Sequence, residues 1–217
     1  MPAPYNKFSS ALTNTSIIHH FITKEIIMRI VTGSARGISL QTLEGEATRP
    51  TPSAVKEAIF SSIQFELEGR TMLDLFAGSG QMGLEALSRG AEKATLVDGS
   101  KDAYAIIMAN AKKTKLYQKT NVLCMDWEQY IKSAGGRNAF DIIFLDPPYD
   151  SGILPRVLCA LFDANMVKET SIIICESGAK LDTGDVMVSA RYDVKKEARY
   201  GRVFVTYFTP KKAEENE

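Results

Sequence analysis

The 217 residues hold three cysteines, two histidines and one tryptophan, and neither charge is in excess: 26 Lys and Arg stand against 26 Asp and Glu, a formal net charge of +0. A neutral chain has no overall electrostatic drive toward nucleic acid or a membrane surface, so a polyanionic partner must be held by local patches. Cys124, Cys159 and Cys175 are far apart and set in apolar runs. That pattern predicts reduced, buried thiols in a cytosolic protein and offers no paired ligand spacing, so no metal is expected. His19 and His20 are adjacent and would not share a helix face, which argues against a ligand pair. No run approaches the roughly 20 consecutive apolar residues of a membrane-spanning helix. The expectation is a soluble, cytoplasmic protein with no membrane partner. Internal repeats are also lacking.

With 45% hydrophobic residues the chain can bury a full-sized core. Residues 1–27 read as a poorly specified extension, or as a start placed upstream of the true one at Met28. Their apolar residues are interrupted by His19, His20, Lys24 and Glu25, which is unlike a signal peptide. Residues 28–69 read as a hairpin and a helix. Met28 to Val31 and Gly37 to Leu43 alternate apolar and polar residues about Gly33-Ser34-Ala35-Arg36-Gly37, and Thr51-Pro52-Ser53 opens a helical pattern carried by Val55, Ile59, Phe60 and Ile63.

From residue 70 to 210, short apolar strands alternate with helices. The strands are expected at Met72 to Phe76, Ala94 to Val97, Val122 to Met125, Asp141 to Leu145 and Ser171 to Cys175. The helices are expected near Gly83 to Ser88, Lys101 to Lys113, Trp127 to Lys132 and Ile153 to Phe162. This is an α/β pattern: a mostly parallel sheet covered on both faces. Tyr192 to Glu197 and Val203 to Phe208 have no helix between them and predict an antiparallel hairpin at the sheet edge. Residues 211–217 form a charged tail.

The first strand runs into Asp74-Leu75-Phe76-Ala77-Gly78-Ser79-Gly80-Gln81-Met82-Gly83, a glycine-rich turn that lets backbone approach a ligand at a helix N-terminus. Gly78, Gly80 and Gly83 fit the dinucleotide fingerprint, and Asp98 lies 20 residues after Gly78, where a ribose-binding acid belongs. NAD or any adenosine cofactor fits so far. Asp74 tilts the choice, because a carboxylate there would repel a pyrophosphate but attract the ammonium of S-adenosylmethionine. The fourth strand ends in Asp146-Pro147-Pro148-Tyr149. The Asp146 carboxylate and the Pro147 carbonyl are two acceptors for the hydrogens of an exocyclic base amine, and Tyr149 offers a face for stacking an extruded base.

Asp74 to Gly80 with Asp98 resembles the cofactor half of Rossmann-like, S-adenosylmethionine-dependent methyltransferases, and Asp146 to Tyr149 resembles the motif of amino-methyltransferases. Residues 28 to 208 resemble one family among these, the RsmD-type methyltransferases that modify guanine N2 in bacterial small-subunit (16S) rRNA. The matching pieces are Arg29 to Gly33 with Arg36-Gly37, Arg49-Pro50-Thr51 with Lys56-Glu57 and Phe60, Leu73 to Gly80 with Gly83 to Gly90, and Asp146 to Tyr149. The resemblance implies a seven-stranded sheet and direct methyl transfer, with Asp146, Pro147 and Tyr149 at the reacting amine. It implies that Asp74 and Gly78, with Phe76, Ala77 and Gly80 in the same turn, face the methionine part of the cofactor. Asp98 would then meet the ribose, and Asp126 with Trp127 the adenine. Asp126 also reads as a helix cap, and Asp98 is shorter than the Glu more usual at its place.

RNA would be held by local cations. Arg29, Arg36 and Arg49 are the candidates, ahead of the lysines at 112, 113, 115 and 119 and the basic residues between Arg191 and Arg202, which read as solvated faces. A neutral chain fits rRNA presented by an assembled or assembling 30S particle. The competing readings are an adenine N6 or cytosine N4 methyltransferase, an NAD-dependent dehydrogenase, and a non-catalytic RNA-binding module.

Overall fold

The computed structural model describes residues 28–43, 53–148 and 151–212. Seven strands form one sheet: β1 (Thr71–Asp74), β2 (Lys93–Asp98), β3 (Thr120–Cys124), β4 (Phe140–Leu145), β5 (Val167–Ser177), β6 (Tyr192–Tyr200) and β7 (Val203–Pro210). Their order across the sheet is β3-β2-β1-β4-β5-β7-β6. The five strands from β3 to β5 are parallel, β7 runs antiparallel to β5, and β6 pairs antiparallel with β7 at the edge. The mostly parallel sheet and the antiparallel C-terminal strands are as expected.

Side chains alternate across the sheet and build two apolar layers. On one face Met72, Ala94, Leu96, Ile142, Phe144 and Ile174 pack under α1 (Ser53–Ser62), α2 (Gln81–Ser88) and α3 (Lys101–Lys113). On the other Leu73, Val97, Ile143, Leu145 and Ile173 pack under α4 (Trp127–Ala134) and α5 (Leu154–Asp163), with Val188 of α6 (Val186–Ser189). Local signals fix the helix starts. The Ser100 side chain accepts the Ala103 N–H and so caps α3, which carries Lys112 and Lys113 in its last turn, complementing the helix dipole. Pro155 sits in the first turn of α5, where its missing N–H costs nothing.

The N-terminal hairpin is as expected, the reading of the thiols needs correction, and one short helix lies outside the expected elements. The N-terminal hairpin is short: Arg29 and Ser39 form an antiparallel bridge, the Ile30 N–H donates to the Ile38 carbonyl and the Leu40 N–H to the Met28 carbonyl, while the Val31 and Thr32 N–H groups go to Glu85 of α2. The thiols are not uniformly buried: Cys175 is, Cys159 is half-buried, and Cys124 is exposed on β3, an edge strand. The short α6 was not expected, its start being fixed by Asp185, which accepts the Met187 and Val188 N–H groups. Thr51 and Pro52, residues 1–27 and residues 213–217 lie outside the described residues. Among the described residues no helix is long and apolar enough to cross a membrane.

The N-terminal segment is anchored by a buried carboxylate. Glu85 of α2 accepts the Val31 and Thr32 N–H groups at 2.7 and 3.0 Å and pairs with Arg89 at 2.8 Å. Lys56 of α1, with its side chain 0% exposed, stands 4.0 Å from Glu85 and donates to the Arg29 carbonyl at 2.9 Å. Ser88 extends the seam, accepting the Ala35 N–H and donating to the Thr32 carbonyl. Contact is so close at Gly33, φ +86°, that a Cβ there would sit 1.7 Å from the Ser88 carbonyl oxygen. Ile30 and Leu40 thereby join the same core as Met72 and Leu96.

Glu85→Ala strands two backbone donors and the buried Lys56 charge, and should cost about 3–5 kcal/mol in urea unfolding. Gly33→Ala, which must push the turn off α2, should also cost more than about 2 kcal/mol. A loss below about 1 kcal/mol in both would mean the segment is not held by this seam.

Candidate active site

β1 and β4 lie side by side and parallel, with Asp74 opposite Phe144. The order of strands reverses between them, so the loops that follow leave in opposite directions and open a crevice at the carboxyl end of the sheet.

The chain leaving β1 is held between its neighbours, the Leu75 N–H donating to the Phe144 carbonyl and the Ala77 N–H to the Val97 carbonyl. It then turns through Gly78 and Gly80, with φ +53° and +77°, a left-handed path that side chains resist. A Cβ on Gly78 would meet nothing within 4 Å, so the turn's backbone is open to a ligand there. Gly83 has a different task. A Cβ there would lie 2.5 Å from the Leu96 side chain, and its absence lets α2 settle onto β2. Ala77 is buried and Phe76 half-buried in the same turn.

Asp74 is 1% exposed beneath this turn. Its Oδ2 accepts the Gly83 N–H at 3.3 Å, while Oδ1 has no hydrogen-bond partner among the described residues. Burial pushes the carboxyl up to about 7; the Gly83 and Phe76 N–H groups oppose this and the nearby Asp98 charge adds to it. A buried acid with an orphaned oxygen is costly by itself and is matched by a cationic N–H donor, such as the ammonium of an amino acid. The residues present therefore fit a cofactor that brings one.

Asp98, half-buried at the end of β2, is tied to the glycine turn. Its Oδ2 accepts the Gly78 N–H and its Oδ1 the Ser100 N–H, both at 2.8 Å. Each oxygen has a second lone pair, so hydroxyl donors can still be accepted. Asp126 is exposed and caps α4, accepting the Glu128 N–H at 2.7 Å. Trp127 is half-buried under the Arg156 guanidinium, 5.6 Å from its ring, at one end of a groove of about 600 Å³ between α4 and α5.

Beyond β4, Asp146 is half-buried, Pro147 buried and Pro148 exposed. Asp146 follows Phe144, the register partner of Asp74, by two residues, so the two acids end adjacent strands. Tyr149 lies outside the described residues, as does Arg49. Arg29 and Arg36 are exposed on the segment docked against α2. Asp74, Gly78, Gly80 and Asp98 are thus brought into one cluster, and Asp126 with Trp127 on the next loop outward.

Two residues at this end of the sheet were not anticipated. Glu176 is buried at the end of β5, one residue past Cys175, the register partner of Leu145. Asn110 is 0% exposed within α3 and bonds to the glycine turn. Its signal was a polar residue on the apolar stripe of Ala103, Ile107 and Ala111.

The family described as Conserved hypothetical protein 95 matches residues 28–209. A Bacillus subtilis protein named as a candidate rRNA methyltransferase, YlbH, is 37% identical over 169 residues, covering 76% of this chain and 92% of its own. The Ribosomal RNA small subunit methyltransferase D of Haemophilus influenzae is 32% identical over 151 residues, covering 69% of this chain and 78% of its own. Among solved structures, a candidate methyltransferase from Escherichia coli, yhhF, superposes with a TM-score of 0.74 at 28% identity, covering 85% of this chain and 98% of that one.

The Asp74 carboxyl sets a pH dependence. Its folded value of about 7 lies above its ordinary 3.8, so between these pH values the folded state keeps a proton that the unfolded state releases, and stability falls as pH rises. Asp74→Asn should therefore make the ligand-free protein more stable than wild type above pH 7, by roughly 2–4 kcal/mol, with the gap closing toward pH 4. Urea unfolding at pH 5 and pH 8 checks this; a gap independent of pH would mean that Asp74 is ionised throughout.

Proposed function

The chain belongs to the family described as Conserved hypothetical protein 95, and from that premise we propose that it methylates the exocyclic N2 amine of a guanine in small-subunit rRNA, using S-adenosylmethionine. The observation that carries this reading is the pairing of two acids on adjacent strand ends: Asp74, buried with an orphaned oxygen under the glycine turn, and Asp146, opening the Asp-Pro-Pro loop across the crevice.

When bound, S-adenosylmethionine supplies a methyl carbon made electrophilic by the attached sulfonium. Asp74 holds the ammonium, and the pairing restores its negative charge. The turn from Phe76 to Gly80 would hold the methionine part, the open backbone at Gly78 facing it. Asp98 accepts the ribose hydroxyls, and Asp126 and Trp127 flank the adenine.

The guanine amine is a weak nucleophile because its lone pair is delocalised into the ring. Asp146 and the Pro147 carbonyl accept its two hydrogens and draw the nitrogen toward the pyramidal form, while the two prolines stiffen the loop. So held, the amine nitrogen would present its lone pair to the methyl group that the bound cofactor supplies. The surplus proton passes from the nitrogen to Asp146. Tyr149 stacks the base, and Arg29, Arg36 and Arg49 hold phosphates of the surrounding RNA. A chain of net charge +0 is poorly equipped to gather naked RNA, which favours rRNA folded within a 30S particle as the substrate.

Labelled methyl transfer to small ribosomal subunits lacking the modification, followed by digestion to nucleosides, should yield N2-methylguanosine at one site. N6-methyladenosine or N4-methylcytidine would overturn the guanine assignment, and equal labelling of protein-free rRNA would remove the particle from it. Asp146→Ala should keep the affinity for S-adenosylmethionine and lose roughly 100–1,000-fold in turnover. Near-normal turnover would take Asp146 out of the chemistry.

A further inference from the structure

Asn110 occupies the third turn of α3 with its side chain wholly out of solvent, an unfavourable place for a residue of poor helix propensity unless its amide is used. It is used three times. Oδ1 accepts the Gln41 N–H at 2.8 Å, and Nδ2 donates to the Gln41 carbonyl at 3.0 Å and to the Ser79 carbonyl at 2.9 Å. The orientation of the amide is settled by its partners, since the Gln41 N–H needs an acceptor and the two carbonyls need donors.

One half of the amide therefore acts like a strand neighbour of Gln41, and the remaining N–H grips the glycine turn between Gly78 and Gly80. The same two partners are joined again on either side. The Ser79 hydroxyl donates to Met28 Sδ at 3.1 Å, and Lys113, one turn along α3, donates to the Ser39 hydroxyl at 2.8 Å. Gly80 lies so close to α3 that a Cβ there would stand 3.1 Å from Ile107. The glycine turn and the segment 28–41 are thus linked through the buried Asn110 amide, with the Ser79–Met28 contact beside it.

We infer that Asn110 is a positioning residue that couples the cofactor turn to the N-terminal segment, so that filling the cofactor site tightens the segment carrying Arg29 and Arg36. This rests on the S-adenosylmethionine reading above. A ligand against Gly78 restrains Ser79; Asn110 then has one hydrogen bond fixed, and the pair to Gln41 is held with less loss of freedom. By linkage, the segment held in place strengthens cofactor binding by the same factor. The cofactor and the RNA-facing segment are then read as one cooperative unit.

The test is amide hydrogen exchange of residues 38–43 with and without saturating S-adenosylmethionine, alongside calorimetric titration of the same samples. In the wild type, binding should slow exchange at the Gln41 amide severalfold. In Asn110→Leu the affinity should fall about tenfold, the cost of the lost bond to the turn and its stranded carbonyl, and the cofactor at saturation should no longer protect Gln41. Asn110→Asp keeps the acceptor for Gln41 but faces two carbonyls without a donor. Its affinity relative to wild type should recover on acidification, when the protonated acid regains an O–H, whereas that of Asn110→Leu should stay flat. A merely structural residue would show neither the pH recovery nor the loss of remote protection. Unchanged Gln41 exchange in the wild type on binding, or equal protection in Asn110→Leu, would overturn the coupling. Failure of the wild type to bind S-adenosylmethionine would instead overturn the cofactor reading beneath it.

Discussion

Parallel pairing of β1 with β4 is the constraint on which the site depends. It joins two stretches of chain distant in sequence, and everything between them, β2, α3, β3 and α4 included, has to be laid out on one side of β1 for that pairing to form. The return across β1 is what reverses the strand order and leaves the ends of the two strands uncovered. Asp74 and Asp146 stand at one end of the sheet because the strands that carry them pair.

The protein buries acids for two opposite purposes. Glu85 is wrapped by two backbone amides, an arginine and a lysine, and its role is complete within the chain: it fastens the N-terminal segment to α2. Asp74 is as deeply buried but keeps one oxygen without a partner and is pushed toward its protonated form. The first arrangement stabilises the ligand-free fold, and the second leaves in it a cost that a cationic partner would relieve. A buried carboxylate supplied with every partner is architecture, and one left short is a candidate receptor.

Much of this was legible in the residues. Short apolar runs alternating with helical spacing define a parallel sheet whatever their exact ends, and the glycine turn with Asp98 at its distance identifies the crevice, because both patterns come from local geometry. What was not legible depends on neighbours that local sequence does not encode. Cys124 sits in a strand-like run but is exposed, since nothing in Val122 to Cys124 says that β3 is the edge. The segment from Met28 to Leu40 keeps the hairpin that its alternation predicts, yet nothing in that alternation says that Glu85 and Ser88 of α2 take the Val31, Thr32 and Ala35 amides and fasten it. Asn110 is silent in the sequence because a single polar residue on an apolar stripe shows its purpose only through the partners that converge on it.

The position of β7 has a consequence for the order in which the sheet can be completed. β6 precedes β7 in the chain, yet β7 lies between it and β5, and among the described residues β6 pairs with no other strand. As the chain emerges during synthesis, the five parallel strands can assemble while β6 has no neighbour. The edge of β5 stays open until residues 203–210 arrive to close it. β6 is therefore joined to the sheet only through β7, and any pause before Val203 leaves the edge of β5 bare to other nascent chains.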